Sequence, residues 1–222
     1  MENMTNTNSV QENQNPEVIK TAVVAIIGRP SAGKSTFLNT ACQEPVSIVS
    51  PIPQTTRNAI KGIVNTSYGQ LIFIDTPGYH TSEKKLNLRL KNVTETQLED
   101  IDCVLYVLDS TRVPGNEEIH TAQLIKKHAD KTVIAINKID SKESKIQPIR
   151  RFIKDRLPQI PQERIFEMSA QKDIGINEVL KALYDIAPIA PPMYSEDDYT
   201  DQDLAFRIAE AIRGEAINRL AD

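Results

Sequence analysis

Between Gly28 and Thr36 the sequence reads Gly-Arg-Pro-Ser-Ala-Gly-Lys-Ser-Thr, and no other stretch limits the fold so strictly. The run Ala22–Ile27 before it is apolar and largely β-branched, the pattern of a strand buried on both faces. Thr36–Cys42 after it reads as a helix. Strand, loop and helix in that order, with Gly28, Gly33, Lys34 and Ser35 on the pattern G-x-x-x-x-G-K-[ST], make a phosphate-binding loop. The glycines let the backbone approach a ligand without a Cβ in the way. The loop N–H groups of Arg29, Pro30's neighbours Ser31 and Ala32, and the helix start at Ser35 and Thr36 then face the phosphates. Lys34 is placed to reach the β- and γ-phosphates, and the Ser35 hydroxyl to bind Mg²⁺.

The rest of the chain repeats the alternation. Apolar runs at 20–27, 59–66, 70–74, 102–108, 131–136 and 164–168 predict six strands, the second and third joined as a hairpin by Ser67-Tyr68-Gly69. Helical spacing predicts helices over 83–99, 116–129, 141–156, 177–187 and 204–220. The fold class is therefore α/β, a P-loop NTPase with a mostly parallel six-stranded sheet and helices on both faces. Ligands bind such sheets at the strand C-termini, and every polar motif here follows one.

Three of those motifs extend the site. Asp75-Thr76-Pro77-Gly78 closes an apolar strand, so Asp75 suits a Mg²⁺-holding carboxylate and Gly78 a backbone donor to a γ-phosphate. Asn137-Lys138-Ile139-Asp140 closes another. There the Asp140 carboxylate can accept from guanine N1–H and its 2-amino group, donors that adenine lacks. Lys138 lays its stem along the base, and Asn137 ties neighbouring loops together. Ser169-Ala170 offers a backbone N–H toward the guanine O6. Thr55 and Thr56 lie in a long Pro-rich loop, where a hydroxyl from Thr56 could join Mg²⁺ only when a γ-phosphate is present, which makes the loop a switch. Lys34, Thr56 and Gly78 are the candidate catalytic groups, and Ser35, Thr56 and Asp75 the candidate metal ligands. Position 79 is Tyr, where some GTPases carry a Gln that orients water, so any hydrolysis at such a site is expected to be slow.

Composition excludes other classes. A net charge of −4 over 222 residues gives no global signature of nucleic-acid binding. Cys42 and Cys103 lack metal-ligand spacing and read as reduced core thiols. Residues 1–17 are polar and predict a disordered tail without a signal peptide, and no apolar run reaches the roughly 20 residues needed to cross a bilayer. The expectation is a cytoplasmic protein.

The five motifs in this order, and the wording Gly-Arg-Pro-x-x-Gly-Lys-Ser-Thr, Gln-Thr-Thr-Arg and Asp-Thr-Pro-Gly-x-His in particular, resemble the Era family of bacterial GTPases, within the TrmE-Era-EngA-YihA-Septin-like class. The resemblance implies a GTP/GDP switch that hydrolyses GTP with Mg²⁺ and acts as a monomer. It also implies a role in small ribosomal subunit assembly through 16S rRNA and the 30S subunit, and peripheral contact with the inner membrane. It divides the chain into a tail (1–17), a G domain (18–187), a linker (188–203) and a helix (204–222) similar to the start of a KH RNA-binding domain. Asp197–Asp201 resemble the family's approach to that domain. No GXXG loop follows before Asp222, so the RNA-binding module is not expected within these residues. The family usually carries Asn-Val where Ser31-Ala32 stand. In related GTPases that Asn is linked to a K⁺ ion that supports hydrolysis, and Ser31 keeps only a hydroxyl there. Alternative readings are a nucleotide-sensing module with negligible turnover or a related tRNA- or ribosome-associated GTPase. A P-loop kinase or ATPase is opposed by Asn137–Asp140.

Overall fold

The computed structural model describes residues 19–47, 60–75 and 101–219; for Ile60, Asp75 and residues 216–219 it describes the backbone alone. Within these residues lie β1 (Lys20–Ile27), α1 (Lys34–Cys42), β2 (Ile60–Thr66), β3 (Gly69–Asp75), β4 (Cys103–Asp109), α2 (Asn116–Ile125), β5 (Thr132–Asn137), α3 (Ile146–Arg156), β6 (Ile165–Glu167), α4 (Ile176–Ile186) and α5 (Leu204–Arg219). The described strands form one six-stranded sheet in the order β2-β3-β1-β4-β5-β6. Among the described strands, β2 and β3 pair antiparallel and the other neighbours pair parallel. The chain runs from β1 toward one edge and from β4 toward the other. A crevice therefore opens between the C-terminal ends of β1 and β4, the switch point of such a sheet.

Period-2 alternation assigns each strand residue to a face. Leu105 and Val107 of β4 and Val133 and Ala135 of β5 pack with Phe37 and Leu38 of α1 and Val179 and Leu183 of α4. Their neighbours Tyr106, Leu108, Ile134 and Ile136 pack with Ala122 and Ile125 of α2 and Ile149 and Ile153 of α3. Both faces are covered, which is why β4 and β5 are buried at every position. Phe37 meets Phe73 edge-on, ring centroids 5.5 Å apart, and pins α1 to β3.

Two helix bounds differ from the spacing-based expectation. The helix expected over 116–129 ends at Ile125 and tightens into a 3₁₀ segment, Lys126–Lys131, with His128 out of helical conformation. The Thr132 hydroxyl donates to the His128 carbonyl there. The helix expected from 141 begins at Ile146. Ser141 instead accepts the Glu143 N–H in a local turn, and Lys145 N donates to Ser110 O. Pro148 then falls in the first turn, where its missing N–H costs nothing. The helix expected over 83–99 lies outside the described residues.

The segment expected as a linker is strapped along β2 and the hairpin. The buried Gln70 amide accepts from Met193 N and Tyr194 N and donates to Tyr194 O. Asn65 Nδ2 donates to the carbonyls of Glu196 and Asp198, Ile63 N to Tyr199 O, and the Thr200 hydroxyl to Lys61 O. Beyond the strap, α5 leaves Leu204, Ile208 and Ile212 exposed on one stripe.

Candidate functional site

The phosphate loop is fixed from β4 and β5. A Cβ on Gly28 would stand 2.4 Å from the Val107 carbonyl oxygen, so the loop leaves β1 pressed against β4. Gly33, with φ 96°, is the N-cap of α1 in the left-handed region. A Cβ there would stand 2.1 Å from Asn137 Nδ2. Lys34 is buried, and its ammonium donates to the carbonyls of Gly28 and Arg29 at 3.0 Å each, which holds the loop curled around it. Ser35 and Thr36 occupy the first turn of α1 and Pro30 and Ala32 are buried, while Ser31 is exposed with φ 59°. The Arg29 side chain points away from the loop to Glu118 of α2, 3.2 Å distant. Glu118 also accepts the Gly115 N–H and so caps that helix.

Asn137 closes β5. Its Nδ2 donates to Ala32 O at 2.8 Å and its Oδ1 accepts from Ala170 N at 2.9 Å, with the side chain buried. One amide thus joins the phosphate loop, the end of β5 and the loop after β6. Thr40 of α1 completes the clamp by donating to Ala170 O. The N–H groups of Ser169 and Ala170 are both engaged within the protein, by Ile174 O and Asn137 Oδ1. The pair thus acts here as a tether for Asn137, and its expected N–H toward a base carbonyl is not free. Asp140 stands exposed at the mouth, on the turn after β5.

One group was missed from the sequence. Asp109 ends β4 directly beside Asn137 in the sheet register. Its buried Oδ2 lies 2.8 Å from Lys138 Nζ, and Oδ1 accepts from the Thr111 N–H and hydroxyl. Burial pushes this carboxyl up, but the Lys138 and Thr111 hydrogen bonds outweigh it and hold it below the ordinary carboxylate range. The only signal in the sequence is a carboxylate closing a wholly apolar strand.

Asp75 ends β3 in register with Ile26 of β1, which brings its backbone to the phosphate-loop end of the sheet. Thr55, Thr56, Thr76, Pro77, Gly78 and Tyr79 lie outside the described residues. Among the described residues no cluster of three His, Cys, Asp or Glu forms a metal site, and no helix is long and apolar enough to cross a membrane.

Residues 23–138 match the family described as 50S ribosome-binding GTPase. GTPase Era of Treponema denticola is 58% identical over 199 residues, covering 90% of this chain and 68% of that protein. The chain belongs to the Era family of GTPases. GTPase Era of Borreliella afzelii is 42% identical over 204 residues, covering 92% of this chain and 70% of its own. The crystal structure of Era in complex with MgGDPNP and nucleotides 1506–1542 of 16S ribosomal RNA aligns at TM-score 0.79 and 32% identity, over 90% of this chain and 68% of that one. An Aquifex aeolicus Era variant bound to GDP and AlF4⁻ aligns at TM-score 0.77 and 32% identity, over 89% and 67%. As an Era-family member the chain binds and hydrolyses GTP.

Proposed function

We propose that the chain works as a Mg²⁺-dependent guanine-nucleotide switch whose base pocket is built on Asn137, Lys138 and Asp140. The supporting observation is the Asn137 clamp, which couples the phosphate cradle to the base-reading turn through one buried amide. Gly28 and Gly33 let the cradle press against β4 and the Asn137 amide, and Lys34 is turned inward toward the loop it would share with phosphate oxygens. The hard oxygen donors Ser35 and Asp75, on adjoining elements, fit Mg²⁺, with Thr56 joining in the GTP state. When bound, the ion neutralises charge on the β- and γ-phosphates. Gly78 would give its N–H to the γ-phosphate, and position 79 offers the attacking water a tyrosine where an amide could have oriented it. Ser31 offers K⁺ one neutral exposed oxygen, so K⁺ is an accessory rather than a requirement. The Ser169–Ala170 loop supports the base from behind through Asn137.

By likeness to the Era structure that carries a 16S rRNA fragment, the role we infer is in small-subunit assembly, with residues 18–187 as a cytoplasmic, monomeric G domain. Residues 188–203 lead to a helix, 204–222, that resembles the opening of a KH domain. No membrane role is inferred.

The test is nucleotide competition. Unlabelled GDP should displace a fluorescent GDP and ATP should not. Asp140→Asn should weaken GDP binding roughly a hundredfold, the cost of leaving two base donors mispaired. Wild-type affinity in Asp140→Asn would sink the base assignment.

A further inference from the structure

We propose that Asp109 is a positioning residue for guanine recognition: it holds the Lys138 ammonium and so sets the Lys138 stem in place before the base arrives. The inference rests on the reading of Asn137–Asp140 as the base pocket. Its ground is the geometry at the tips of β4 and β5. Asp109 and Asn137 are partners in the parallel register, so the carboxylate lies beside the base-reading turn although 28 residues before Asn137 in the chain. The Asp109 side chain is 1% exposed and its oxygens are shared between Lys138 (2.8 Å) and Thr111 (2.9 Å to N, 2.6 Å to the hydroxyl). The Lys138 side chain is 34% exposed, so it is gripped at its head without being buried whole.

Lys138 is held at its other end too. Its backbone is in the left-handed region, φ 67°, a conformation a lysine adopts only when its surroundings impose it. Its neighbours impose it: Ile139 N donates to Met168 O, and Ser141 N to Lys138 O. Ser110, next to Asp109, adds its own ties: its N–H donates to Asn137 O, its carbonyl accepts from Lys145 N, and its hydroxyl oxygen accepts from the Ser144 hydroxyl. A free lysine loses much rotamer freedom when it stacks on a ligand. Here that ordering is done in advance, the condition for a preorganised site. A merely structural Asp109 would hold Ser110 and Thr111 without needing Lys138, and this difference can be measured.

Binding of fluorescent GDP is compared in the wild type, Asp109→Asn, Lys138→Met and the double variant, with Asp140→Ala alongside. Asp109→Asn keeps an acceptor for Thr111 but loses the charge facing the ammonium. It should weaken GDP and GTP by the same factor, about tenfold, because the effect comes through the base. In the Lys138→Met background the same substitution should change affinity less than twofold, a coupling a double-mutant cycle reads directly. If Asp109→Asn does not fold, Asp109→Ser, which leaves room for a water, is expected to give the same two results. Affinity within twofold of the wild type, or an equal loss in both backgrounds, overturns the proposal. Wild-type affinity in Asp140→Ala overturns the base assignment and this inference with it. Weakening in Asp140→Ala with none in Asp109→Asn overturns the Asp109 role alone.

Discussion

At Gly33 the chemistry of the site comes down to one missing methyl. Its φ of 96° lies where side chains are strained, and the space a Cβ needs is taken by the Asn137 amide. Gly33→Ala should therefore push Asn137 off Ala32 and Ala170 and weaken GDP binding by at least roughly a hundredfold, while destabilising the chain by about 1–3 kcal/mol. Gly115→Ala is the matched control. Its φ is −121° and the nearest atom to a new Cβ is Glu118 Oε2 at 3.7 Å, so both affinity and melting temperature should stay near the wild type. Equal losses in the two variants would show that the effect of an added methyl is not specific to Gly33 and that the clamp is not the cause. Gly28, Gly33, Lys34 and Asn137 were legible in the sequence because each stands in a fixed motif directly after an apolar strand. Asp109 and Glu118 were not. Each acts on a residue that only the sheet register or the placement of α2 brings near.

Among elements, strands were easier to read than helix ends. Continuous apolar runs marked β1, β4 and β5 to within a residue, since the central positions of each are apolar on both faces. The starts and stops of α2 and α3 depend on side-chain hydrogen bonds that compete with the helix, at Thr132 and at Ser141, and periodicity is blind to them. The strap over β2 was hidden for a similar reason: Pro, Asp and Tyr after α4 have linker composition, yet backbone pairing with Ile63 and the Gln70 and Asn65 amides hold them down. Lys61 adds an ion pair to Asp201 at 2.9 Å, and this hydrogen bond is the main reason its pKa is raised above 10.5. A raised lysine stabilises the fold fully below its unfolded value and loses that contribution as pH climbs through the folded one. The wild-type melting temperature should thus fall by roughly one or two degrees more than that of Asp201→Asn on passing above pH 10.5, a small effect because both side chains are partly exposed. Parallel alkaline curves for the two would mean the pair contributes nothing to the strap.

Taken whole, the molecule places its nucleotide site on its most buried strands, so opening the core and losing the ligand are one event. Cys103 begins β4 and is fully buried, and burial pushes its thiol up to about 12. A thiol in that state reacts only when the strand leaves the sheet. β4 is also the strand against which Gly28 is packed and from which Asp109 reaches Lys138. A form with β4 released cannot hold the phosphate loop or the base turn in place, and nucleotide binding should suppress it by mass action. At GDP about a hundred times its dissociation constant, alkylation of Cys103 should slow about a hundredfold, matching ~2.7 kcal/mol of linkage. Cys42, at the C-terminal end of α1 and only partly buried, should slow less, because the end of one helix can fray without dissolving the site. Mass spectrometry of timed labelling separates the two thiols. A Cys103 rate indifferent to GDP would mean that β4 opens while the nucleotide stays bound, and would break the link between core and site.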